Sequence, residues 1–147
     1  MNSIIVDVDA ACSHEYKIAA VGFVIYLGEY TLQSTTEITY NKHIQICELE
    51  ALYYAMTHCL IYNADNIIFN TDSEELFRRE PSKLSRNPTW IQLINRLKLI
   101  RGEFDSINIS QCSRDILTTV HNITSEKLES LRFSKTGERV LCSLIYN

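Results

Sequence analysis

Apolar residues along this chain recur with two periods, and the change between them divides the sequence. Residues 3–9, Ser-Ile-Ile-Val-Asp-Val-Asp, are short and rich in β-branched side chains and read as a strand. Residues 18–26, interrupted by Gly22, and residues 31–40 read as two more, joined by a hairpin turn at Gly28-Glu29. Links this short cannot make parallel crossovers, so the three form an antiparallel meander. In residues 47–62 the spacing becomes helical: Leu49, Leu52, Tyr53, Met56 and Leu60 mark one stripe that requires a core.

The second half alternates strands with helices. Asn66-Ile-Ile-Phe-Asn70 reads as a buried strand closed by Thr71-Asp72-Ser73, and Asp72 or Ser73 can cap a short helix over 74–80. A polar link, 81–87, leads to Asn87-Pro88, an N-cap followed by proline at the first helical position. Trp90, Leu93, Ile94, Leu97 and Ile100 give that helix its core stripe, and Gly102 ends it. Residues 106–111 alternate as a last strand, and 123–132 form a helix packed through Leu128 and Leu131. The expected fold is α/β (α+β): a mixed five-stranded sheet, three antiparallel strands and then parallel ones, with helices on both faces. It forms one domain over 1–132. Residues 133–147, with a turn at Lys135-Thr136-Gly137, are an extension without an assigned role.

Composition narrows the class. The net charge of -4 provides no global basic field. Five scattered cysteines with no Cys-x-x-Cys pair fit neither a disulfide framework nor a zinc site, and suit a reducing compartment. With no signal-peptide or membrane-span pattern, the expectation is a soluble, cytoplasmic protein with no membrane partner. Phosphate-loop and dinucleotide glycine patterns are absent, so no organic cofactor is expected. His43, His58 and His121 stand isolated and read as surface or partly packed residues.

What remains is a set of acids at the ends of core elements. Asp9 ends the first strand, Asp72 follows the fourth, and Glu48 opens the central helix. Singly, each has an ordinary reading as strand-end solvation, a helix cap or a first-turn acid. If the first and fourth strands are neighbours, both aspartates emerge at one edge of the sheet. Gathered carboxylates need a cation, and oxygen ligands favour Mg²⁺ or Mn²⁺. Asp7 shares a face with Asp9 but lies further back, where it needs a hydrogen-bond partner rather than a metal.

These residues resemble the ribonuclease H family. Glu48-Leu49-Glu50-Ala51 is similar to its helix-opening Glu-Leu-x-Ala, and Thr71-Asp72-Ser73 matches its Thr-Asp-Ser verbatim. Asp9-Ala10-Ala11-Cys12 stands for Asp-Gly-Ser, with Gly22-Phe23-Val24-Ile25-Tyr26 at the matching distance. Asn122-Ile-Thr-Ser-Glu126-Lys-Leu128 is similar to Asn-x-x-x-Asp-x-Leu, with Glu for Asp. The resemblance implies a nuclease that cuts the RNA strand of RNA–DNA hybrids with two Mg²⁺ or Mn²⁺ ions. It assigns catalysis and metal to Asp9, Glu48, Asp72 and Glu126, with Asp115 as the stand-in for Glu126, and substrate contacts to Gln45, Ser73, Arg114 and Asn122. It also implies that Asp72 bridges to the second ion. The link from 78 to 90 is too short for the basic protrusion of some members. Ala10 and Glu126 leave open a domain of this fold that binds nucleic acid or a partner protein without cutting.

Overall fold

The structure, a computed structural model, describes residues 3–40 and 43–137, with 132–137 as backbone only. Strands β1 (Ser3–Ser13), β2 (Ile18–Leu27) and β3 (Tyr30–Tyr40) form the expected meander, followed by α1 (Ile44–Cys59) and β4 (Asn66–Thr71). Helix α2 (Pro88–Arg101), β5 (Ile107–Gln111) and α3 (Thr118–Gly137) complete it. The five strands lie in the order β3-β2-β1-β4-β5, with β1–β2 and β2–β3 antiparallel and β1–β4 and β4–β5 parallel. No described helix is long and apolar enough to cross a membrane.

Strand alternation divides the sheet between two cores. Ile4, Val6 and Val8 of β1, Phe23 and Ile25 of β2 and Phe69 of β4 are buried with Leu49, Leu52 and Met56 of α1 and Trp90, Leu93 and Leu97 of α2. The opposite face of β2, Ile18, Ala20 and Val24, packs on Leu128, Leu117 and Val120 at α3 and the turn before it. The start of α2 is as expected: Asn87 Oδ1 accepts from the Thr89 and Trp90 amides, with proline at the first position.

Several boundaries differ from the sequence reading. β1 continues past Asp9 to Ser13, because its far half pairs residue by residue with β2, Asp9 against Gly22. α1 begins at Ile44, where the His43 side chain caps the Gln45 amide, so Glu48 sits one turn inside the helix. The short helix expected over 74–80 reduces to a 3-10 turn, Glu75–Phe77, and the link carries a second, Leu84–Arg86. α3 starts earlier, at Thr118, and its backbone continues through Gly137, where a turn was expected. The rest of the expected extension lies outside the described residues.

Gly22 controls how closely α3 approaches the sheet. A Cβ there would stand 2.8 Å from Thr124 Cγ2 and 3.0 Å from both the Thr35 carbonyl oxygen and Thr36 Cγ2. Thr124 is fully buried and its hydroxyl donates back to the Val120 and His121 carbonyls, so it has little freedom to move away. Gly22→Ala is expected to destabilise the fold by about 1–3 kcal/mol, as overpacking of a filled interior does. Urea denaturation of parent and variant measures it.

Candidate active site

The β1–β4 register aligns Asp7 with Asn70, so two residues further on the backbone brings Asp9 alongside Asp72. Glu48 reaches the same edge from α1. The three carboxylates each offer one oxygen, and these oxygens lie within 4.8 Å of one another. Three separate elements thus contribute one acid each.

The surroundings are poor in compensating donors. Asp9 is buried, at 2% exposure, and its Oδ2 lies 3.0 Å from His121 Nδ1. Asp72 Oδ2 lies 3.8 Å from Nε of Arg114, an exposed residue on the 3-10 turn Arg114–Leu117. The other oxygens, Asp9 Oδ1 and Asp72 Oδ1, are buried without a hydrogen-bond partner among the described residues. Burial, and after it the charges of Asp72 and Asp9, push the Glu48 carboxyl up to about 7, against the pull of Arg114. Burial likewise raises Asp9, opposed first by its hydrogen bond with His121 and, after the further push of the Asp72 charge, by one from the Ala10 backbone amide. Orphaned carboxylate oxygens and mutual repulsion are what a hard divalent cation relieves, and an all-oxygen donor set suits Mg²⁺ or Mn²⁺. The residues present fit such an ion.

Asp7 stays out of the cluster. It is buried and accepts a 2.9 Å hydrogen bond from Asn70 Nδ2, the partner its position demanded. Glu126 also stays out. It is exposed, on the side of α3 away from the Val120, Thr124 and Leu128 face that meets the sheet. Asp115 is exposed and is likewise outside the cluster. Instead, α3 presents His121. Read as isolated from the sequence, it proves to be the residue that touches Asp9. Extending the stripe of Leu128 and Thr124 back to Val120 and Leu117 would have started the helix earlier and set His121 beside its buried face.

The residues assigned to substrate are dispersed. Ser73 is buried and spent locally: its amide donates to Thr71 Oγ1 and its hydroxyl accepts from the Leu76 amide. Asn122 is exposed on α3. Arg114 and His121 line one cleft of about 410 Å³ with Ala10, Ser125 and Glu129. Gln45 lines a second cleft of about 380 Å³ with His43, Arg78, Lys83 and Asn87. Half of the chain's Lys and Arg residues, seven of 14, fall between positions 78 and 101, a concentration that the net charge conceals.

The family model described as reverse transcriptase-like matches residues 7–126, and the chain belongs to that family. Its fold is the ribonuclease H fold. RNase H1 from the halophilic archaeon Halobacterium salinarum NRC-1 superposes with a TM-score of 0.76 at 19% identity, covering 87% of this chain and 98% of that one. The N-terminal RNase H domain of a Mycobacterium tuberculosis protein, solved as a fusion with maltose-binding protein, gives 0.74 at 15%, covering 84% and 97%. LC11-RNase H1, solved in complex with RNA/DNA hybrid, gives 0.73 at 18%, covering 84% and 94%. No curated protein matches the chain.

The carboxylate cluster makes a pH prediction. Glu48 keeps its proton in the folded chain up to about pH 7, whereas in the unfolded chain it releases it near the ordinary value of 4.5. Across that window the folded state binds more protons, so metal-free stability falls as pH rises. Thermal melts in chelator should show this decline, and Glu48→Gln should flatten it. Adding Mn²⁺ above pH 7 should raise the parent's Tm.

Proposed function

We propose that this protein is a metal-dependent endonuclease that hydrolyses the RNA strand of RNA–DNA hybrids. The observation that carries the reading is the convergence of Asp9, Glu48 and Asp72, with two buried oxygens unpartnered. Family membership and the fold support it, and so does LC11-RNase H1, a structural neighbour solved with an RNA/DNA hybrid.

Asp9, Glu48 and Asp72 would hold the divalent cations. When bound, these supply Lewis acidity to the scissile phosphodiester and a lowered pKa to attacking water. The chain's own residues do the rest. Asn70 holds Asp7 so that it does not compete for the site. Arg114, 3.8 Å from Asp72, is placed to exchange that carboxylate for a phosphate oxygen as substrate arrives. Gln45, half-buried in a cleft with Lys83 and the Arg78–Glu75 ion pair, supplies a hydrogen-bonding group suited to 2′-hydroxyls of a hybrid's minor groove. The absence of Glu126 from the cluster favours the alternative, a binding domain without cleavage.

Asp72→Asn is the test. It keeps the shape of the site and removes one charge. Parent protein should cleave a labelled hybrid in Mg²⁺ or Mn²⁺, and the variant should be slower by on the order of 10²-fold or more, with its far-UV circular dichroism unchanged. Hybrid binding without cleavage by the parent would support the binding domain instead.

A further inference from the structure

We propose that β3 is a self-association edge: a second copy of this chain adds its own β3 antiparallel, two-fold about Thr35, making one sheet with five strands from each copy. The inference stands on the sheet edge and does not draw on the nuclease reading. β3 lies at one end of the strand order and, among the described residues, pairs only with β2. Alternate backbone N–H and C=O groups along 32–38 therefore point outward with no strand among those residues to meet. The opposite edge, β5, has five residues, whereas β3 has 11. Short strands, prolines and lysines are what usually blunt an edge. β3 has neither Pro nor Lys, and Glu37 is its one charge. Helices α1 and α3 pack chiefly over β1 and β2, one strand in from this edge.

The strand's own sequence identifies the occupant. Tyr-Thr-Leu-Gln-Ser-Thr-Thr-Glu-Ile-Thr-Tyr reads nearly alike from either end, with Thr35 at its centre. A two-fold axis through Thr35 sets Leu32 against Ile38 of the second copy, Gln33 against Glu37 and Ser34 against Thr36, each pair twice. Opposed residues must share a face of the joined sheet, and here they do. Gln33 and Glu37 lie on the α1 side, where the Tyr62 hydroxyl donates to Gln33 Oε1 and the Glu37 charge acts on Tyr54. Ile38 packs on the α3 side with Leu128 and Leu131. One N–H of the Gln33 amide goes to Thr35 Oγ1, which leaves the other for the Glu37 carboxylate of the second copy. Moving the axis to Thr36 would set Ile38 against Ser34, and moving it to Glu37 would set two carboxylates against each other. Only the axis at Thr35 gives Glu37 an amide and Leu32, 38% exposed in the single chain, an aliphatic partner. The β2 ladder skips Leu32, passing from Gln33 to Thr31, so the strand bends beyond it and the added ladder spans 32–38.

Sedimentation equilibrium of the whole chain over a concentration series tests this. The parent should form a dimer that dissociates on dilution, and hydrogen exchange of the amides over 32–38 should slow as concentration rises. Gln33→Glu sets two carboxylates face to face at each end of the ladder and should weaken the dimer by roughly 10-fold. Gln33→Lys opposes Glu37 with a cation and should tighten it by a similar factor. Combining Gln33→Glu with Glu37→Lys restores opposite charges and should recover the parent's affinity. The two changes at Gln33 move affinity in opposite directions, which a loss of folding cannot imitate, and far-UV circular dichroism checks each variant. A parent that stays monomeric at every concentration would overturn the proposal. So would a dimer indifferent to these variants, or one whose exchange protection falls outside β3.

Discussion

Asp9 and Asp72 meet because β1 and β4 run parallel and in register, and the character of the site follows from that pairing. Asp7 faces Asn70 at the last paired position, so each strand delivers its next acid to the same edge. Two carboxylates held together at low exposure repel, and Glu48 from α1 adds a third. Burial and this repulsion hold the Glu48 proton on up to about pH 7. Such a cluster opposes folding unless a cation neutralises it, so a bound cation would stabilise the fold through these same groups. Two of the clustered oxygens, Asp9 Oδ1 and Asp72 Oδ1, are buried without a hydrogen-bond partner among the described residues, so this edge departs from the usual pairing of buried polar groups.

The two cores support this edge unequally. The larger one locks β1, β2 and β4 against α1 and α2 with fully buried side chains such as Phe23, Phe69 and Met56. α3 holds the opposite face through a smaller set, Leu117, Val120 and Leu128, and depends on the bare backbone at Gly22 to come close. The three carboxylates belong to elements of the large core. His121 belongs to α3, so its distance from Asp9 is set by the thinner of the two layers. A change in α3 packing would therefore be felt at the histidine before it is felt at the acids.

Charge is segregated rather than absent. The chain as a whole is acidic, yet residues 78–101 hold seven of its 14 Lys and Arg. Lys83 and Arg78, the latter paired with Glu75, line a cleft with Gln45, three residues from Glu48, so the basic segment reaches the acidic edge through the first turn of α1. An acidic centre repels phosphate, whereas a basic flank attracts it. Together they suit a polyanion whose backbone must be brought up to a cluster of acids.

Much of this was legible in the sequence, where local chemistry decides the outcome. Period-two and helical stripes located all five strands and the three α-helices, and Asn87-Pro88 and Gly102 marked the limits of α2. Asp9, Glu48 and Asp72 could be named because each sits in a motif a few residues long. Ends decided by pairing or packing could not be read locally. β1 runs beyond Asp9 because β2 continues beside it, and α3 begins at Thr118 because Leu117 and Val120 are buried with Val24 of β2. Which residue of α3 comes to lie against Asp9 was of this second kind. The family resemblance pointed to Glu126, but the side of a helix that faces the sheet edge is set by which of its residues the sheet buries. Val120, Thr124 and Leu128 are the buried ones, and they turn His121 toward Asp9, 112 residues away, and Glu126 toward solvent.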